Sequence, residues 1–505
     1  MDPVVPRART IVVENGRILQ VGNGRDATDF WSQNAKEMNL KGRTVVPGFI
    51  DPHCHLLAYA EGFMTLNLRP QNNVRSISDI QERIRQLSCN LKEGTWIRGK
   101  GYNEFYLTEK RHPVRLDLDV AAARHPIKLT HRSGRAHVLN TLALQLAGIS
   151  KETADPAEGL IDRDFETGEP TGLLYGMNDY LAERIPRIDR EEMEQGIKLA
   201  NRELCSLGIT SIHDASPRND SERWKTFQQW MDQSLLRLSV TMILGKEGFK
   251  EYQRQTFPPP SEKDQLRLGG VKIIVHETTG QLSPTQEDLN EMVLTIHKSG
   301  LQAVMHAIEG KALEAACNAV EYALRRAPKT DHRHRIEHCS VCPPPLASRL
   351  ASLGVRVVTH PSFLYHNGER YLRLVPEPNL RHLYPLATLM KHGVNVAASS
   401  DSPLVPANPL LGMYSAVSRK AKNGELILPQ EGISAMEALH MHTDYAAEIS
   451  FEEASKGSIM PGKLADLVVL SGDPTELPVD EIKDIEVEMT ILNGEIVWDK
   501  GNCEL

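Results

Sequence analysis

Short apolar runs recur along the middle of the chain, each followed by a stretch with helical spacing. They are Phe49 to His53, Ile209 to His213, Leu236 to Ile243, Val271 to Val275, Gln302 to His306, Arg335 to His338, Arg356 to His360 and Asn395 to Ser399. Near-continuous apolar strands interleaved with helices mark a parallel sheet buried on both faces. Eight such runs predict an α/β protein built on a (β/α)8 TIM-like barrel. Helical patterns fill the intervals, as in Leu289 to His297 before Gly300 and Ala312 to Arg325 before Pro328. Polar residues stand at the C-terminal ends of the runs, where barrel enzymes place their chemistry. The first interval is far longer than a connection, at about 150 residues. It predicts an insertion at residues 59–200 over the active-site mouth, with a helix at Ile77 to Leu91 and an extended run at Ile127 to Leu139.

The two ends have a different rhythm. Arg9 to Asn23 holds two β-rich runs joined at Asn15-Gly16, and Met489 to Trp498 repeats the style around Asn493-Gly494, after the run Ala465 to Leu470. Asn-Gly between apolar runs is the strongest short hairpin signal. Neither end has enough strands to stand alone, so residues 1–47 and 458–505 are expected to pair into one small β-sandwich. The barrel domain, 48–457, is then threaded between them.

Composition narrows the class. The chain has 505 residues, 40% hydrophobic and 25% charged, the profile of a soluble globular protein with a large core. A net charge of -8 without a long basic block argues against a nucleic-acid partner. No apolar run approaches the ~18 residues of a membrane span, and the N-terminus lacks a secretory core, so no membrane partner and a cytoplasmic location are expected. Seven cysteines, Cys54, Cys89, Cys205, Cys317, Cys339, Cys342 and Cys503, are odd in number and scattered, which is no disulfide framework. Cys339 and Cys342 form a lone Cys-x-x-Cys, read as packing.

The chemistry starts at Val45-Val46-Pro47-Gly48-Phe49-Ile50-Asp51-Pro52-His53-Cys54-His55. Alternation along a strand sends His53 and His55 the same way, half of a site for zinc or a similar divalent ion. The fifth run ends at His306, the sixth at His338 and the eighth at Asp401. Singly, each histidine is more often a hydrogen-bonded core residue than a ligand. Together, four histidines and an aspartate at one barrel mouth are costly to bury without a purpose. Lys272 lies inside Gly270-Val271-Lys272-Ile273-Ile274, where an ammonium group is expensive without a partner. Such a lysine tends to lose its proton, and the neutral amine can take up carbon dioxide as a carbamate that bridges two metals. An ordinary ion pair is the alternative.

These residues carry a resemblance. VVPGFIDPHCH, the single histidines of the fifth and sixth runs, the aspartate of the eighth and SKGSIMPGKLADLVVL near the end are similar to the amidohydrolase superfamily. The insertion, Glu166 to Gly176 (ETGEPTGLLYG), Gly208 to Ala215 (GITSIHDA) and Val271 to Ile273 resemble its amidohydrolase 3 family, which includes N-substituted formamide deformylases and YtcJ-like proteins. The resemblance implies that His53 and His55 bind one metal and His306 and His338 the other. It also implies a carboxylated Lys272 as bridging ligand, and Asp401 as both ligand and proton-transfer residue.

Three departures stand out. After the fourth run the family often has an acidic residue and glycine; here the order is His276-Glu277-Thr278-Thr279-Gly280, which brings His276 or Glu277 forward. The insertion has Gly134-Arg135, with His137 two residues on, where relatives have Gly-His. Relatives also begin with an extra strand before the region matching Met1, which leaves either a later start or a sandwich one strand short.

The expected mechanism is hydroxide attack. A zinc-bound water with pKa lowered toward ~7 supplies hydroxide to an amide, formamide or cyclic amide carbonyl, and Asp401 passes the proton to the leaving nitrogen. His213, His276 and His360 are candidates for holding the oxyanion, and Tyr102, Arg135 and His137 for lining the substrate site. One or two metal ions per chain and a small-molecule substrate are expected. Barrels of this size frequently pair, though nothing in the sequence defines an interface. Competing readings are the same site on an ester or lactone, isomerisation or decarboxylation, and a non-catalytic scaffold. A scaffold has no physical reason to keep six competent ligands.

Overall fold

The computed structural model describes residues 7–23, 36–156, 159–186, 188–255, 257, 265–278 and 281–501. The outermost residues of the two terminal segments, Cys503 among them, and Thr279 and Gly280 lie outside this set. Two compact units divide the chain: one holds residues up to Leu56 and from Asn201 onward, the other Leu57–Ala200.

In the larger unit each of the eight apolar runs forms a strand. They are β1 (Phe49–Cys54), β2 (Ile209–Asp214), β3 (Ser239–Leu244), β4 (Leu266–Ile274), β5 (Gln302–Ala307), β6 (Arg335–His338), β7 (Arg356–Thr359) and β8 (Val396–Ala398). All neighbours pair in parallel, in the order β8 through β1, so the sheet is a nearly closed TIM-like barrel. Strands β1 and β8 share no ladder. Their seam is closed by Asp401 N donating to His53 O at 2.9 Å, His55 N to Ser402 O at 2.9 Å and Ser400 N to Asp51 Oδ1 at 3.1 Å.

The runs and strands differ at their edges for local reasons. Strand β3 starts three residues later than the apolar run, because Ser234 turns with φ 58° and Arg237 N is taken by Asn201 Oδ1. Strand β4 starts earlier than its run, since Leu266 already pairs with Val240. Helix Gln286–Lys298 is capped by Thr285, with Glu287 and Asp288 in its first turn and Lys298 in its last, matching the helix dipole. Helix Gly310–Arg326 buries a face of Ala312, Ala315, Ala316, Ala319 and Ala323, small enough to lie close on the barrel.

The terminal segments make two small sheets. Thr10–Glu14 and Arg17–Gly22 form the expected hairpin, with Asn15 and Gly16 at φ 51° and 75°, as a type I′ turn requires. A four-stranded sheet joins Glu495–Asp499, Val487–Leu492, Leu467–Leu470 and, from the N-terminal side, Thr44–Pro47. Ile18, Val45, Leu467 and Ile491 pack in one apolar cluster.

The second unit has its own core. Its six strands run in the order Leu66–Asn67, Ile97–Tyr102, Ile127–His131, Ala136–Leu139, Pro170–Tyr175, Leu160–Arg163. The extended run at 127–139 is therefore a hairpin, bent between His131 and Ala136. Helix Ile77–Ser88 opens on a Ser76–Asp79 capping box and buries Ile77, Ile80 and Ile84. No helix among the described residues is long and apolar enough to cross a membrane.

Candidate metal centre

Strand ends deliver the polar residues to one place. His53, last but one in β1, is buried; its Nδ1 donates to Glu337 Oε2. Its Nε2 lies 3.4 Å from Lys272 Nζ and 3.6 Å from Asp401 Oδ1. His55 Nε2 lies 3.1 Å from the same Asp401 oxygen. The His338 ring stands 4.2 Å from that of His306 and 4.4 Å from that of His360, and the His360 ring is 5.1 Å from that of His53. Two sets of ligand atoms lie within 4.8 Å of one another: His53, His55 and Asp401, and His53, His338 and His360. The expected ligands His53, His55, Lys272, His306, His338 and Asp401 are thus neighbours, and His360 stands among them.

Getting both Glu337 and His338 into this space breaks strand alternation, which sends consecutive side chains to opposite faces. His338 has φ 71° and Cys339 φ 49°; Asp401, after β8, has φ 55°. Left-handed backbone at non-glycine residues costs energy and is typical of functional sites.

Electrostatics prepare the set for a cation. Burial pushes His53 and His306 down to about 3, and lowers His338 and His360 as well, so the imidazoles are neutral with lone pairs to offer. Burial likewise lowers the Lys272 ammonium, against the pull of Glu337 and Asp401. For Asp401 burial works the other way, but His55, His53 and His360 outweigh it and hold the carboxyl below the usual carboxylate range. Neutral imidazoles beside an ionised carboxylate are a donor set for a divalent ion. His360 adds an orphan: Nδ1 bonds Ser399 Oγ at 2.7 Å, while its buried Nε2 has no hydrogen-bond partner. A metal would satisfy it, so the residues fit the group.

The other candidates are not among these two sets of ligand atoms. His213 is buried between Arg335 (Nη1 to Nδ1, 3.1 Å) and Glu452 (3.8 Å from Nε2). His276, half-buried, carries a buried Nδ1 without a hydrogen bond, and Glu277 pairs with Lys311 at 2.7 Å. Tyr102, His137 and Arg135 belong to the second unit. Tyr102 is buried, its hydroxyl 2.9 Å from His112 Nδ1; His137 is buried against Asn178 and Thr130; Arg135 is exposed.

The sequence reading missed Arg335 and Glu337, both fully buried in β6. Their signal was present: two charged residues at i and i+2 inside a run called apolar fall on one strand face. Arg335 Nε donates to Glu337 Oε1 at 2.7 Å and Nη2 to Pro52 O at 3.1 Å. Burial would raise the Glu337 carboxyl, but Arg335, His53 and Lys272 hold it well below the usual range.

The profile of the amidohydrolase family matches residues 36–498. The YtcJ protein of Bacillus subtilis (strain 168) is 28% identical over 519 aligned positions, covering 98% of this chain and 97% of that one. The N-substituted formamide deformylase of Arthrobacter pascens is 27% identical, covering 98% and 95%. The crystal structure of an uncharacterized metal-dependent hydrolase from Pyrococcus horikoshii superposes with a TM-score of 0.75 at 23% identity, over 93% of this chain and 95% of that one.

Proposed function

The chain belongs to the amidohydrolase family, and from that premise we propose that it is a metal-dependent hydrolase of a non-peptide carbon–nitrogen bond in a small amide, formamide or cyclic amide. The observation that carries this is the convergence of His53, His55, Lys272, His306, His338, His360 and Asp401 at the C-terminal ends of barrel strands. The likeness to an N-substituted formamide deformylase supports the bond type.

His53, His55 and Asp401 would hold one divalent ion, zinc or similar; His306 and His338, with His360 beside them, would hold a second. Lys272, its ammonium destabilised by burial, would carry a carbamate between the two. A divalent ion in such a site supplies Lewis acidity and activates water at neutral pH. Asp401, ionised and 3.1 Å from His55 Nε2, takes the proton of the attacking water and returns it to the leaving nitrogen. His360, held at Nδ1 by Ser399, would offer its unpartnered Nε2 to the reacting carbonyl or the ion. His213 has no part in substrate contact, because Arg335 and Glu452 enclose it. We read the protein as cytoplasmic, alone or paired with a second copy, with the terminal sheets as one sandwich and residues 57–200 as an insertion after β1.

Elemental mass spectrometry of protein purified without chelator, with bicarbonate present, and turnover of N-substituted formamides test this together. About two ions per chain and metal-dependent formamide hydrolysis are expected. A chain that binds no divalent ion after reconstitution overturns it.

A further inference from the structure

The barrel interior below the metal centre is polar where barrels are usually packed with Val, Ile and Leu. His53, Glu337, Arg335, His213 and Glu452 follow one another across it, all buried. Glu452 ends the column among cations and hydroxyls: Lys456 Nζ at 3.0 Å, Arg267 Nη1 at 3.2 Å and Ser450 Oγ at 3.0 Å. Buried charges of this kind are poor stabilisers compared with apolar packing, so their arrangement calls for another account.

Donor rules assign the protons. An arginine only donates. Arg335 Nη1, 3.1 Å from His213 Nδ1, must therefore donate to a bare nitrogen, so neutral His213 carries its proton on Nε2, toward Glu452. Arg335 Nε gives its hydrogen to Glu337 Oε1, and Nη2 to Pro52 O in the strand that carries His53. Glu337 is thereby fixed as an anion with Oε2 left to accept, and the atom it faces is His53 Nδ1. His53 must then hold its proton on Nδ1 and present a bare Nε2 toward Lys272 and Asp401.

We propose that Glu337 and Arg335 are positioning residues that set the tautomer and ring orientation of His53, so that Nε2 is the nitrogen offered to the metal. This rests on the metal-binding reading above. An outer carboxylate on a ligand histidine typically contributes 10–100-fold in metal affinity. Glu337→Gln keeps the shape and removes the anion.

The experiment measures Co(II) affinity by competition with a chromophoric chelator, alongside the Co(II) absorption spectrum and a thermal melt. In Glu337→Gln protein that still melts cooperatively, the dissociation constant is expected to rise about 10–100-fold, with a changed ligand-field spectrum. A constant within about twofold of wild type, and an unchanged spectrum, overturns the proposal. A second measurement needs no ion and no folded variant at Glu337: nitrogen-15 NMR of metal-free wild-type protein labelled at histidine, with the His53 signal identified by its loss in His53→Gln. A protonated Nδ1 is expected; a protonated Nε2 overturns the proposal. If wild-type protein takes up no Co(II), the metal reading fails by itself, and the NMR result still decides the tautomer.

Discussion

Asp401 is where burial, charge and backbone strain meet. Its carboxyl is enclosed, held ionised by His55, His53 and His360, and set on a left-handed φ of 55°. Asn at this position keeps the volume and loses both the charge and the proton acceptor. Asp401→Asn is expected to reduce turnover about 10²–10⁴-fold, the usual worth of a positioned acid–base group, with little change in the melting temperature. Activity at the wild-type level would remove Asp401 from the mechanism. At this scale the histidines and the aspartate were readable, because each ends or closely follows an apolar run. Arg335 and Glu337 were passed over, because the four-residue run that holds them was counted as apolar and only its terminal His338 was weighed. The orientation of His360 beside the expected ligands involves a contact with Ser399, just past β8, which no local pattern encodes.

Elements constrain the site through their spacing. Gly270 lies in β4, two residues before Lys272, and a Cβ there would stand 2.3 Å from Gln302 O on β5. Backbone cannot give way as a side chain does. Gly270→Ala is expected to destabilise the fold by about 1–3 kcal/mol and to weaken metal binding, because β4 must shift from β5. Chemical denaturation and metal titration check it; unchanged values for both would mean that the strands separate freely. The eight strands were legible from apolar runs, since the runs are nearly continuous and the helical patterns between them close at breakers such as Gly300 and Pro328. Their exact starts were not: Ser239 and Leu266 are set by pairing with neighbours distant in sequence. The sheet order inside residues 57–200 was likewise invisible, because its last two strands pair out of chain order.

For the whole molecule, a cluster of three histidines makes stability sensitive to acid. His297, His332 and His334 are buried together. Ala303 N donates to His334 Nδ1 at 2.9 Å, which leaves His334 Nε2 to donate to His297 Nδ1 at 2.8 Å, and His297 Nε2 to donate to Ala327 O at 2.7 Å. His334 N donates to His332 Nδ1 at 2.9 Å, and His332 Nε2 to Leu353 O at 2.8 Å. Every ring nitrogen is committed, so an added proton must displace a bond. Burial, with Lys329 nearby, holds His332 and His334 below the ordinary imidazole value. The unfolded chain therefore binds more protons once the pH drops below about 6.5. Stability is fully present above that value and is lost as the pH falls. The melting temperature of metal-free protein is expected to decline steadily from pH 7 to 5 and less steeply in His334→Gln; a flat profile in the wild type would exclude the cluster as its source.

The seam between β1 and β8 has a mechanical meaning. His53 and His55 stand on one lip and Asp401 on the other, so an ion coordinated by all three would be a rivet across the break in the barrel wall. The loop it closes spans about 350 positions, and opening it frees the barrel to unroll. Chelation should therefore shorten the lifetime of the folded chain in urea as well as stop turnover, and equal unfolding rates with and without chelator would show that the wall holds without its rivet.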